Sequence, residues 1–201
     1  MTTRSASCFI LLLSISTLVG VAENVRAQPV GPPVLVLLQN DAEVPLAVVV
    51  KAQAEVVRLY GLIGVEVAWV TQVPEPGRRL RIVCLVAWEP VDRPESVMGL
   101  TNTGPSGRGI LAYVFWRRVE RASQRFTAAQ HNLLGVVIAH ELGHMLLPNQ
   151  SHAKRGLMED PWGPDQFRAA SAGLLHFAEE SGELIRHALI AEASLAQRAG
   201  R

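Results

Sequence analysis

The stretch that decides the fold is TAAQHNLLGVVIAHELGHMLL, residues 127–147, because its apolar spacing predicts a long buried helix. Thr127 precedes Gln130 by three residues, and this spacing predicts a capping box at the start of the helix. The following pair Pro148-Asn149 disfavours helical geometry at Leu147 and can adopt a turn. We therefore expect the helix to run to Leu147 and to end there.

The second half of this helix carries His140-Glu141-Leu142-Gly143-His144, the pattern H-E-x-x-H. Four residues make just over one helical turn, so both imidazoles project from one face, about 6 Å apart along the axis. Two neutral imidazoles at this spacing can bind one tetrahedral Zn²⁺. Glu141 is turned by about 100° from His140, a position that suits a general base for a zinc-activated water. The apolar neighbours make unpaired polar groups costly here, which favours a metal site over coincidence.

A third metal ligand is needed, because catalytic zinc usually has three protein ligands and an open position. His152 lies eight residues after His144, beyond the predicted helix end, where the chain can turn back to the metal. A surface-loop role for His152 is the alternative. Glu179 and Glu180 offer a carboxylate ligand instead, as in thermolysin-like peptidases.

The order of these features resembles the metzincin clan of zinc peptidases: H-E-x-x-H, a forced helix end, a third histidine, and then the turn Gly156-Leu157-Met158. In that clan, the third ligand follows the helix end and a methionine turn forms the floor beneath the metal. The resemblance implies the following site: zinc ligands His140, His144 and His152, catalytic base Glu141, and supporting residue Met158.

The spacing departs from the usual metzincin pattern, H-E-x-x-H-x-x-G-x-x-H. Leu147 and Gln150 stand where that pattern has glycine and histidine, and His152 comes two residues late. The spacing looks like a variant found in small bacterial members of the clan. No tyrosine closely follows Met158, so we expect no additional tyrosine ligand.

Outside the motif, the pattern of apolar residues predicts an α/β (α+β) single domain. Strands are predicted at 34–39, 65–70, 80–88 and 109–116, and a helix at 45–60. Strand, helix and strand at this spacing predict a right-handed crossover and a mostly parallel sheet. The resemblance adds an antiparallel edge strand at 97–101, against which an extended peptide could pair. A C-terminal helix is expected within 164–198, interrupted near Gly173 or Gly182.

The N-terminus has the pattern of a secretory signal. A basic residue, Arg4, precedes the apolar stretch 9–22, and Val25-Arg26-Ala27 offers small residues at the cleavage positions. We therefore predict a signal peptide at 1–27 and a catalytic domain at 28–201, exported to the periplasm or the extracellular space. An uncleaved membrane anchor is the alternative. Removal of the signal takes Cys8 with it and leaves Cys84 alone, which excludes a cysteine-based zinc site.

Composition and charge limit the function classes. At 201 residues, the chain is long enough for one domain, and its net charge of +1 gives no reason to expect nucleic acid or an anionic membrane as partner. We expect a secreted zinc-dependent endopeptidase acting on a peptide or protein. The alternatives are a secreted zinc-binding protein without peptidase activity and a zinc hydrolase acting on other bonds.

Several further residues have two interpretations. Trp162 either lines a substrate pocket or packs in the core, and the pair Glu159 and Asp160 either orients a ligand histidine or is solvated. Three histidines are expected at the surface or in packing roles: His131, His176 and His187.

Overall fold

A computed structural model describes residues 31–74, 79–103, 109–147 and 152–199. The predicted signal peptide and residues 75–78, 104–108 and 148–151 lie outside the described residues. Within the described part of the chain, no helix combines the length and apolar character that a membrane span needs.

Ten helices and strands follow one another in the described residues. In chain order they are β1 (Val34–Asn40), α1 (Leu46–Leu62), β2 (Val67–Val70), β3 (Leu80–Val86), β4 (Gly99–Thr103), β5 (Gly109–Phe115), α2 (Trp116–Arg125), α3 (Gln130–Leu146), α4 (Pro164–Ser171) and α5 (Glu179–Ala199). The predicted strands and the first helix are all present, with ends that differ by one to two residues. Helix α2 was not predicted.

The five strands form one sheet in the order β2-β1-β3-β5-β4. All neighbouring pairs are parallel except β4 with β5, so the predicted mixed sheet with an antiparallel edge strand is confirmed. The edge strand begins at Gly99 rather than at residue 97. Val97 instead packs against a cluster on the sheet, and its carbonyl accepts a hydrogen bond from Arg118, so it is not available for the ladder.

Helices α1 and α3 pack closely together against one face of the sheet. Gly135 of α3 allows this approach, since a Cβ there would lie 2.7 Å from the Cβ of Glu55 and 3.0 Å from the carbonyl oxygen of Ala52. The buried hydroxyl of Tyr60 donates a hydrogen bond to the Ala139 carbonyl, one residue before the H-E-x-x-H motif. These contacts fix the position of α3 relative to α1.

The predicted start of α3 is wrong, whereas its predicted end is confirmed. The helix begins at Gln130 after Ala129, and no side chain caps it. Because α2 runs up to Arg125, residues 126–129 form the connection between two helices, and Thr127 adopts a positive φ of 52° there. Leu147 is extended, with ψ of 142°, as expected for a residue before proline.

The predicted interruption of the C-terminal helix lies at Gly173, not at Gly182. Gly173 has a positive φ of 69° and lies between α4 and α5. Gly182 lies inside α5, where a Cβ would approach the side chain of Ile63 to 2.9 Å. This glycine therefore allows α5 to pack against the end of α1.

Candidate metal centre

Three histidine side chains converge at the C-terminal part of α3. The Nε2 atoms of His140 and His144 lie 3.0 Å apart, and one ring nitrogen from each of His140, His144 and His152 lies within 4.8 Å of the others. A tetrahedral zinc ion separates ligand nitrogens by roughly 3.3 Å, given bonds of about 2.0–2.1 Å. The cluster is therefore compact enough to hold one metal ion. It is the one group of three such ligand residues found within the described ranges.

His152 reaches the helix because the segment after it folds back on itself. The Ala153 N–H donates a hydrogen bond to the Met158 carbonyl, and the Leu157 N–H donates to the His176 carbonyl. Gly156 has a positive φ of 78°, and a Cβ there would lie 2.8 Å from the His176 carbonyl oxygen. The turn therefore depends on glycine at this position.

His140 is held in the orientation and protonation state that a metal ligand needs. Its Nδ1 lies 2.7 Å from the Leu157 carbonyl oxygen, so Nδ1–H donates and the lone pair of Nε2 stays available. Burial lowers the pKa of His140 to about 4. The imidazole is therefore neutral at neutral pH, as metal binding requires.

His152 is the exposed member of the cluster, with 44% of its side chain accessible. Its Nδ1 lies 3.7 Å from Oδ2 of Asp160, close enough for an electrostatic contact but too far for a hydrogen bond. Asp160 and Glu159 both line the pocket that contains the histidines. Asp160 is therefore the carboxylate that faces His152.

Met158 is fully buried and lies against α3 at Gly143. A Cβ at Gly143 would lie 2.5 Å from the sulfur of Met158 and 3.1 Å from its methyl carbon. The thioether thus packs against the turn of α3 between His140 and His144.

Glu141 is buried and is held from one side by the edge strand β4. The Thr101 hydroxyl oxygen lies 2.8 Å from Oε2 of Glu141 and 3.0 Å from its backbone carbonyl oxygen. Burial raises the pKa of Glu141 to about 8, while the hydrogen bond from Thr101 acts in the opposite direction. The neighbouring Gly99 leaves room for the carboxyl group, because a Cβ there would lie 2.6 Å from Cδ of Glu141.

A pocket of about 250 Å³ contains all three histidines and Glu141. One wall is formed by residues 96–101, and Trp162 lies on another side. The Trp162 ring packs edge-on against the His140 ring, with centroids 5.4 Å apart, and also contacts the Phe167 ring. Trp162 therefore both lines the pocket and packs in the core.

The alternative carboxylate ligands lie outside the histidine cluster. Glu180 pairs with Arg155 at 2.6 Å, and both side chains are largely exposed. His176 and His187 are exposed and His131 is half-buried, and none of them belongs to the cluster. His140, His144 and His152 are therefore the residues that the structure brings together.

Sequence reasoning missed a buried arginine that shapes the pocket wall. The Arg118 guanidinium donates hydrogen bonds to Glu89 and to the carbonyls of Pro90, Arg93, Pro94 and Val97. These acceptors lie in residues 89–98, which we call the wall loop because they lead into β4 and contribute to the pocket. An arginine in a strongly polar stretch gives no signal of this role, since its partners are distant backbone carbonyls.

No known protein-family model matches the chain, and a comparison with curated proteins gives no match either. The class of protein is therefore inferred from the histidine cluster and the residues around it.

Proposed function

We propose that this chain is a zinc-dependent endopeptidase of the metzincin type, with His140, His144 and His152 as metal ligands and Glu141 as general base. The observation that carries the proposal is the presence of three converging imidazoles and a buried carboxyl group in one pocket. A structural metal site needs no such carboxyl group, whereas hydrolysis needs a proton acceptor beside the metal.

The donor set suits zinc better than other common divalent cations. Three neutral imidazoles are typical of catalytic zinc, whereas Ca²⁺ and Mg²⁺ prefer oxygen ligands. Three protein ligands also leave one tetrahedral position open for water or substrate. A metal of the later transition series would also bind such a site, so metal content is the first property to measure.

Each residue has a defined part in hydrolysis. When bound, zinc would supply Lewis-acid chemistry by polarising the peptide carbonyl and by lowering the pKa of water. With zinc bound, its charge would lower the pKa of Glu141, so that the carboxylate takes a proton from the attacking water and passes it to the leaving amine. Strand β4 has one ladder partner among the described residues, β5, so its other edge is where an extended peptide pairs.

The proposed substrates are peptides or proteins outside the cytoplasm. The N-terminal segment 1–27 has the residue pattern of a secretory signal, and export would bring the mature chain to the periplasm or the extracellular space. The net charge of +1 gives no reason to propose a nucleic-acid partner.

Zinc content and peptide hydrolysis of the purified protein test this proposal together. We expect about one zinc per chain in the wild type and in Glu141→Gln, and loss of most of it in His152→Ala. His187→Ala is the matched control, because His187 is an exposed histidine outside the cluster. With an unstructured protein as substrate, we expect the rate in Glu141→Gln to fall by about 100-fold or more.

Three results would contradict parts of the proposal. A wild-type protein that takes up no zinc after controlled loading would overturn it altogether. Zinc uptake without hydrolysis would favour a zinc-binding protein or a hydrolase acting on other bonds. Unchanged zinc content in His152→Ala would remove His152 from the ligand set and the metzincin assignment with it.

A further inference from the structure

The edge strand β4 contacts the carboxyl group of Glu141 through two of its residues, Gly99 and Thr101. We infer that Thr101 is a positioning residue that aims this carboxyl group, an inference that rests on the proposed peptidase function. Residues i and i+2 of a strand face the same side of the sheet, so both residues face α3. We call this pair the Glu141 clamp.

The Thr101 hydroxyl is fixed in direction by the packing of its methyl group. A Cβ at Gly109 would lie 2.6 Å from Cγ2 of Thr101, so the methyl group lies directly over the backbone of β5. A β-branched side chain has few allowed rotamers, and seating the methyl group sets the direction of the hydroxyl. The hydroxyl then meets Oε2 of Glu141 at 2.8 Å.

Gly99 limits the carboxyl group from the other side. A Cβ at this position would lie 2.6 Å from both Cγ and Cδ of Glu141. The carboxyl group therefore packs directly against the backbone of β4. The Gly99 Cβ position lies closer still to Oε1, so β4 holds both carboxyl oxygens, Oε2 through Thr101 and Oε1 against Gly99.

Such fixation matters because proton transfer depends strongly on distance and direction. A displacement of about 1 Å in a catalytic group lowers rates by roughly 100-fold. The clamp also lies on the strand that the proposed function assigns to peptide pairing. A substrate paired with β4 is thus aligned against the same strand that aims the general base.

The test compares two changes at Thr101 that separate the hydroxyl from the methyl group. Thr101→Val keeps the shape and removes the hydroxyl, whereas Thr101→Ser keeps the hydroxyl. We expect kcat to fall about 10- to 100-fold in Thr101→Val, with KM and zinc content changed less than about twofold. Thr101→Ser should restore most of kcat. His187→Ala, an exposed residue of α5 outside the pocket, is the control and should match the wild type.

A second variant and a crystal structure test the inference even if Thr101→Val folds poorly. Gly99→Ala should lower kcat like Thr101→Val, because it displaces Glu141 from the other side of the clamp. A crystal structure of zinc-free Thr101→Val should show the Glu141 side chain in a new rotamer, with Oε2 moved from its present place.

The outcomes separate this inference from the proposed function. A wild-type protein without peptidase activity contradicts the proposed function, and the position of Glu141 in the crystal structure then decides whether Thr101 orients it. An active wild type with equal kcat in Thr101→Val overturns the inference alone. An unmoved Glu141 side chain in the Thr101→Val crystal structure overturns it as well.

Discussion

Gly143 and Met158 provide a direct test of the packing beneath the histidine cluster. We consider Gly143→Ala, which places a methyl group 2.5 Å from the Met158 sulfur and 3.5 Å from a ring carbon of Phe177. Met158 is fully buried, so its end can move only by repacking against its neighbours. The added methyl group must therefore shift the end of the Met158 side chain or push Met158 and α3 apart.

Two opposing terms set the expected change in the free energy of unfolding. Replacing glycine by alanine inside a helix favours the folded state by about 1 kcal/mol. Overpacking in a buried site costs about 1–3 kcal/mol. We therefore expect Gly143→Ala to be up to about 2 kcal/mol less stable than the wild type. Gly61→Ala is the control, because a Cβ at Gly61 meets no atom within 4 Å.

Urea denaturation measures both variants, and a double mutant identifies the cause. Met158→Ala removes the atoms that meet the new methyl group, so Gly143→Ala in that background should become stabilising by up to about 1 kcal/mol. We also expect Gly143→Ala to bind zinc more weakly, since His140 and His144 flank the displaced turn. The reasoning would be refuted if Gly143→Ala were as stable as Gly61→Ala, or equally costly with and without Met158.

Three further predictions concern the wall loop, pH and metal removal. Arg118→Met leaves several carbonyls of the wall loop without their buried donor, so we expect a loss of about 3 kcal/mol in urea unfolding and rapid proteolytic cleavage within 89–98; cleavage at the wild-type rate would contradict this. The hydrogen bond from Arg121, with a further contribution from Arg118, lowers the pKa of Glu89 to about 2, below its usual value in the unfolded chain. The stability that ionised Glu89 contributes is therefore complete above about pH 4.5 and is lost as the pH falls towards 2. The wild type should be about 2 kcal/mol more stable than Glu89→Gln at the upper end of this range, and the difference should shrink as the pH falls. A difference that does not change with pH would refute this prediction. Chelation of zinc should lower the melting temperature, by the equivalent of about 2.7 kcal/mol when zinc is at 100 times its Kd, whereas His152→Ala should show little shift.

Most of the sheet could be predicted from the sequence because its strands are short apolar runs between turn residues. The strand-helix-strand order through β1, α1 and β2 was sufficient to predict the parallel arrangement. The end of α3 was also predictable, since a proline after Leu147 restricts the backbone locally. These features depend on neighbours in sequence, so they can be predicted without knowledge of tertiary contacts.

Helix α2 shows where local patterns fail. It follows β5 without a break, with Phe115 as its N-cap and no side-chain cap, so no start signal separates the two elements. Its presence then places Thr127 in a helix-helix connection. The Thr127–Gln130 spacing has the form of a capping box, but in the folded chain Thr127 lies in the connection before α3 and has a positive φ.

The histidines of the candidate site were predictable, but the residues that hold Glu141 were not. His140, Glu141 and His144 form a motif of five consecutive residues, and His152 follows soon after. The contacts of Thr101 and Gly99 with Glu141 join positions about 40 residues apart. Their geometry depends on how the edge strand meets α3, which no local pattern specifies.

The hydrogen bonds of Arg118 also make the wall loop dependent on a later part of the chain. The wall loop is synthesised before β5 and α2. Residues 89–98 therefore emerge from the ribosome before Arg118, whose guanidinium binds their carbonyls in the folded chain. The loop can reach its final form only when residues 109–118 have joined the sheet and started the next helix. The native form of this side of the pocket therefore depends on a side chain that lies 21 to 29 residues later in the sequence than its partners.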